Sequence, residues 1–249
     1  MKLLFYNIAH GTNPSRSFFS QVKQLLPVKK DWTTTLVDEI KDIQPSIIAF
    51  VEVDSGSLRA RGKNHLKDIA QQLEYSSTFF SKYRNRLIRR LPIFRKLGAA
   101  VLHTKDLAIQ PTPIYFRNGH KKMAIKSTFD YRAEQISLYV LHLSLLKKTR
   151  NKQLQEFKTL LESDENKKII VGDLNLFKGA QELDSFLDHT NLSIHTNNQP
   201  TFPTWNPHLK LDYLIYSKGI RITDFQLEPI HLSDHLPFSF SLALTPSTA

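Results

Sequence analysis

The run Lys167 to Phe177, KKIIVGDLNLF, carries a carboxylate and a carboxamide two residues apart at the end of an apolar stretch. Ile169, Ile170 and Val171 read as a buried strand. Period-two alternation then turns Asp173 and Asn175 to one side, facing one pocket, and Gly172 lets the backbone turn tightly at the strand end. Such a pair suits a metal-bound phosphate, although a strand followed by an Asx-type turn accounts for GDLN in isolation equally well. Other polar residues interrupt apolar strands in the same manner. Asn7 ends the first, Glu52 sits inside FVEV, His142 ends LYVLH, Asp212 opens LDYLIY, and Asp234 and His235 precede the last. Each alone has a structural explanation as a turn former, a satisfied histidine or a cap. Glu52 resists that explanation most, because a carboxylate among Phe50, Val51 and Val53 is costly to bury without a cation or a metal. Recurrence at strand ends is the stronger signal.

The elements that must position these groups follow from periodicity. Leu3 to Ile8 reads as a strand, and Thr33 to Gln44 as a helix with Leu36, Val37, Ile40 and Ile43 on one face, stopped by Pro45. Ser46 to Val53 is a buried strand, and Leu58 to Glu74 a helix marked by Leu66, Ile69, Ala70 and Leu73. Gly98 to His103, Lys122 to Asp130 and Ile136 to Leu143 are further strands. Thr112 to Arg117 is extended and belongs at a sheet edge, since Pro111 and Pro113 each remove a ladder donor. Asn151 to Ser163 and Gln181 to Asp188 are amphipathic helices flanking the strand at Lys167. Leu211 to Ser217, Ile220 to Leu227 and Leu236 to Leu244 form three strands in a row. Strands outnumber helices in an α+β mixture.

A chain of 249 residues with no Pro/Gly/Ser-rich linker and no internal repeat suits one domain over residues 1–249. The opening MKLLFYNIAHG has too short an apolar run for a signal peptide, and no later run approaches the ~18 apolar residues of a membrane span. A soluble monomer is expected, cytoplasmic or peripherally bound to a membrane. The absence of cysteine excludes disulfides, thiolate catalysis and cysteine metal sites, without fixing the compartment. The net charge of +11 is unevenly placed. Between Arg59 and Lys126, sixteen Lys/Arg face three acids, a local +13 that leaves the rest of the chain at about −2. The densest part, Lys82 to Gly98, carries seven cations and no acid, interleaved with Leu87, Ile88, Leu91, Ile93, Phe94 and Leu97. Such a stretch attracts polyanions, and a solvated segment with its apolar residues packed inward is the plainer alternative.

Seven motifs then fall in order along nearly the whole chain: YNIAHG at Tyr6, VEV at Glu52, LHLSL at His142, GDLN at Asp173, TFP at Thr201, LDYLIYS at Asp212 and SDHLP at Ser233. Through them the sequence resembles the endonuclease/exonuclease/phosphatase superfamily, the DNase I-like fold. The resemblance implies a four-layer α/β sandwich, two packed β-sheets flanked by helices, with the site at one end. It implies Glu52 as the main metal ligand, with Asn7 and Asp234 close to the metal and its waters. Mg²⁺ is the expected ion, with Mn²⁺ as a substitute, because hard oxygens suit an ion that leaves room for phosphate oxygens. Asp173 resembles the residue that orients or deprotonates the attacking water, and Asn175 the one that holds the scissile phosphate. His235 resembles the imidazole on the phosphoryl oxygen or the base, and Asp212 its orienter; which group removes the proton stays open. A carboxylate on one ring nitrogen fixes the tautomer of the other and stabilises the imidazolium. His142 is similar to the strand-end histidine of the DNase I, sphingomyelinase and phosphatase-like branches, whereas abasic-site endonucleases generally carry another residue there. Two departures are present: the first motif has an extra residue before His10, and Val51 stands where glutamine is frequent, so His10 is displaced from the family position.

Three functions fit. A phosphodiesterase of nucleic acid would use Lys82 to Gly98 to grip backbone phosphates. A sphingomyelinase-like or phosphoinositide phosphatase-like enzyme would seat Leu87, Ile88, Leu91, Ile93 and Phe94 in a membrane interface, with Arg86, Arg89 and Arg90 on anionic lipid. A catalytically silent phosphate-binding module is the third.

Overall fold

Alternation of side chains along the strands builds the molecule. The computed structural model describes residues 1–11, 31–57, 62–83, 96–119, 123–196 and 199–245. In the first strand, β1 (Lys2–Asn7), Leu3 and Phe5 join one apolar cluster while Leu4 and Tyr6 join another on the opposite face. A strand buried on both faces needs cover on both. β1 lies inside a six-stranded sheet of order β11-β12-β1-β2-β4-β3, made with β2 (Ile47–Asp54), β3 (Ser76–Ser81), β4 (Leu97–His103), β11 (Ile220–Leu227) and β12 (Phe238–Leu244). The second sheet runs β5-β6-β7-β8-β10-β9 through Gln110–Tyr115, Met123–Tyr131, Glu134–His142, Lys167–Asp173, Asp212–Ser217 and Leu192–Ile194, taken in that order. The inner faces meet in a core that includes Phe5, Val51, Val140, Val171 and Phe240. Helices α1 (Trp32–Ile43) and α2 (His65–Leu73) cover the first sheet through Leu36, Ile40 and Ile69. Helices α3 (Lys147–Glu162) and α4 (Asp184–Leu187) cover the second through Leu154, Phe157 and Phe186. This is the four-layer DNase I-like sandwich.

Each sheet contains one parallel pair, β1 with β2 and β7 with β8, and these pairs set the position of the site. Parallel neighbours end on the same side, so Asn7 and Glu52 reach one end of the first sheet. His142, Asp173 and Asp212 are register partners across β7, β8 and β10 at one end of the second.

Several sequence expectations are corrected. Two short strands, β3 and β9, were not anticipated; both lie at sheet edges, where pairing to a single neighbour supports sequences without strict alternation. α2 begins at His65 rather than Leu58, capped by the Asn64 side chain, which accepts from the Lys67 amide at 3.2 Å, while residues 58–61 lie outside the described set. α3 starts four residues earlier than expected. β5 takes the edge position expected from Pro111 and Pro113, starting two residues earlier than expected; the two prolines share parity, so both missing donors fall on the same side of the strand. Of the basic stretch Lys82 to Gly98, residues 84–95 lie outside the described residues, and with them the expected apolar contacts. No described helix is long and apolar enough to cross a membrane.

Candidate active site

Gly172 does not turn the chain. A Cβ there would sit 2.3 Å from the Leu141 carbonyl oxygen, so glycine allows β8 to lie against β7 and carries Asp173 to its place. Nor does strand alternation set Asn175. β8 ends at Asp173, and Asn175 adopts φ 54°. Its amide donates to Asp173 Oδ1 at 3.1 Å and its Nδ2 to the Leu143 carbonyl at 3.0 Å. The Asx turn and the functional reading are therefore one structure: the turn locks the Asp173 carboxylate and ties it to the loop after His142.

Glu52 is placed by a β-bulge. The β2–β4 register slips between Phe50 and Val53, and Glu52 takes φ 55°. The extra residue resets the alternation, so Phe50 and Val53 both face the helices while Val51 faces the inner core. The expected carboxylate buried within a strand is thus corrected: the Glu52 side chain is 23% exposed at the strand end. His10 Nε2 stands 3.5 Å from Glu52 Oε2, and His142 Nε2 stands 3.4 Å from Oε1 and 3.7 Å from Asp173 Oδ2. His10 was noted only as displaced; a turn through Ala9 and His10, both with positive φ, brings it here.

The two sheets meet at Asp173. Asn7 Nδ2 donates to Asp173 Oδ2 at 2.9 Å, while the Asn7 Oδ1 accepts from the Ala9 amide at 3.1 Å. His235 Nε2 lies 3.5 Å from Asn7 Nδ2 and 3.9 Å from Asp173 Oδ2. On its other side, His235 Nδ1 is 2.7 Å from Asp212 Oδ2, which also accepts from Thr201 Oγ1 at 2.5 Å. Thr201 was visible in TFP without a role; here it orients Asp212. Ser233 is similar, its hydroxyl donating to the Asn7 carbonyl at 2.6 Å and fastening the SDH turn to β1. Burial alone would lower the pKa of His235, but the adjoining Asp212 carboxylate, with Asp173 and Asp234 behind it, outweighs burial and raises it to about 10. The ring keeps its proton at neutral pH. Asp234 is raised by burial and by the nearby Glu52 charge, against the pull of His235.

The structure therefore joins Asn7, Glu52, His142, Asp173, Asn175, Asp212, Asp234 and His235 through direct contacts or mutual fields at one end of the sandwich. Glu52 and Asp234, the latter's proton affinity raised by burial and by the Glu52 charge, form a set of hard oxygen donors suited to a divalent cation. Asp173, Asp212 and His235 also lie close enough together to share an ion. Their hydrogen bond and the retained ring proton favour proton handling over ligation.

No curated protein matches the sequence. Residues 4–235 match the model of the Endonuclease/Exonuclease/phosphatase family. The human Nocturnin catalytic domain with bound sulfate anion aligns with a TM-score of 0.72 at 20% identity, covering 98% of this chain and 93% of that one. A mannosyl-6-phosphatase of Bacteroides thetaiotaomicron aligns at 0.69 with 14% identity over 98% and 100%. A humanized D. rerio TDP2 aligns at 0.69 with 12% identity over 98% of each chain. At these identities the structural likeness concerns the fold.

Proposed function

Because the chain belongs to the endonuclease/exonuclease/phosphatase family, it is an enzyme that hydrolyses phosphoester bonds, and we propose that it acts as a divalent-metal-dependent phosphodiesterase. The observation that carries this reading is the His235–Asp212 pair aimed, through His235 Nε2, at the locked Asp173 carboxylate. Asp173 accepts from Asn175 on Oδ1 and from Asn7 on Oδ2, which fixes the carboxylate in an orientation to position a water and accept its proton. His235, already protonated, serves as donor toward a phosphoryl or leaving oxygen, so Asp173 is the better candidate for the base. Asn7 Nδ2 and His235 Nε2 are neighbouring donors, an arrangement that favours an anionic oxygen. Asn175, through Leu143 and Asp173, holds the phosphate side of the site in shape, and His142 stands between Glu52 and Asp173.

Glu52 and Asp234, with the side-chain Oδ1 of Asn7, would hold Mg²⁺ or Mn²⁺. Bound there, the ion would neutralise phosphate charge and polarise a non-bridging oxygen. A phosphodiester, which carries one negative charge on its phosphate, is the substrate class of this reading. Nucleic acid and phospholipid are both diesters of this class.

Hydrolysis of bis-p-nitrophenyl phosphate tests the reading. Turnover should require Mg²⁺ or Mn²⁺, stop in EDTA, and be lost or demand more metal in Glu52→Ala. Full activity in chelator would sink the metal assignment.

A further inference from the structure

The described large apolar residues that remain exposed are Leu145, Leu146, Leu160, Phe177 and Trp205, and four of these five leave the site end of the second sheet. Leu145 and Leu146 follow His142, Phe177 follows Asn175, and Trp205 precedes Asp212. One buried ion pair ties two of these loops together. Arg150 Nη1 donates to the Ser144 and Leu145 carbonyls at 2.9 and 3.0 Å, and its Nη2 meets Glu182 Oε2 at 2.5 Å. The other oxygen of Glu182 accepts the Lys178 amide at 2.9 Å, beside Phe177. Thr204, next to Trp205, donates its amide to the Asp234 carbonyl at 2.9 Å. The exposed side chains are thus presented by anchored backbone around the site.

Local rules are broken where they protrude. Leu146 occupies the N-cap of α3, with no side-chain cap, at an extended backbone conformation that Ser, Thr, Asp or Asn would use well. Lys147 and Lys148 fill the first turn, where the helix dipole disfavours cations and the turn itself contains no acid. Lys178 likewise follows Phe177. Violations that weaken a helix mark residues retained for another purpose.

We propose that Leu145, Leu146, Phe177 and Trp205, with Lys147, Lys148 and Lys178, form a rim that docks the mouth of the site onto an anionic phospholipid surface. This deepens the phosphodiesterase reading and rests on it for the substrate class. Aliphatic side chains decide between polyanions. Nucleic acid offers phosphates to lysine and bases to aromatic rings, but nothing to two leucines exposed by 55% and 70%. A bilayer accepts apolar residues below its headgroups while lysines meet the lipid phosphates.

The chain contains only two tryptophans, Trp32 buried at 3% exposure and Trp205 at 37%, so fluorescence reports on the rim directly. Vesicles of phosphatidylglycerol and phosphatidylcholine should sediment the full chain and shift its emission to the blue, a shift absent in Trp205→Phe. Leu145→Ser/Leu146→Ser should weaken vesicle binding about tenfold or more, from the apolar area lost. The same variant should hold or raise its melting temperature, because serine is the better N-cap, and should keep wild-type turnover of bis-p-nitrophenyl phosphate. No vesicle binding by the wild type, wild-type binding by the double variant, or a fall in its melting temperature would each overturn the proposal. A blue shift with single-stranded DNA but not with vesicles would do so in favour of nucleic acid. Wild-type turnover of the soluble diester is scored separately: its absence would sink the chemistry, while vesicle binding judges the rim.

Discussion

His235 keeps its proton because Asp212 lies 2.7 Å from Nδ1 while Thr201 holds that same carboxylate oxygen in place. His235→Ala should therefore lower kcat on the order of 10²–10⁴-fold with the fold intact, the range of a positioned acid-base group. Asp212→Asn should lower it less, and wild-type rates for both in a steady-state assay would refute the pairing. The same contact links pH to stability. With its folded-state pKa raised from 6.5 to about 10, His235 binds a proton in the folded chain that the unfolded chain has released across that window. Its contribution is thus complete below about pH 6.5 and disappears as pH rises through 10. In EDTA, the melting temperature of the wild type should fall across this range, and His235→Gln should lack that part of the slope. Of these features, the residue types were legible from polar groups at strand ends. Thr201 as orienter was not, since it reaches Asp212 through a loop fold that no periodicity reports.

Strand neighbours impose demands that composition conceals. Gly172 reads as a turn former, yet its hydrogen is needed because the Leu141 carbonyl occupies the space a Cβ would fill. Gly172→Ala should force β8 away from β7 and destabilise the protein by roughly 2–3 kcal/mol, as overpacking does. A reduced urea midpoint at constant slope would show it, and an unchanged midpoint would mean the strands adjust freely. The bulge at Glu52 teaches the same lesson. FVEV looks like a strand with a misplaced acid, and the slip of register that frees this acid is determined by pairing with β4. The helices α1 and α3 were legible because an apolar stripe at helical spacing is a local property. The edge strands β3 and β9 were not, because a partner strand and not their own pattern makes them strands.

At the scale of the molecule, the first and last described strands share one sheet: β1 lies between β12 and β2, and the inner core takes side chains from all three and from the second sheet. The metal-free chain should accordingly unfold in a single cooperative step, with calorimetric and van't Hoff enthalpies in agreement. Two separated transitions would divide it into independent units. Removing residues 238–245, which lie beyond every candidate site residue, should abolish folding, since β1 would lose a ladder partner and the core would lose Phe238, Phe240 and Leu242. The sequence by itself determined the α+β class, the family resemblance, and the order in which the candidate site residues recur at strand ends, because alternation, helical stripes and short motifs are written in neighbouring residues. Only the tertiary structure decided that Asn7 grips Asp173 across 166 positions, that His10 and His142 bracket Glu52, and that one ion pair ties Leu145 to Phe177's loop. Those relations arise where two sheets pack and loops from distant segments share one end of the sandwich, and the spacing of residues along the chain carries no record of that packing.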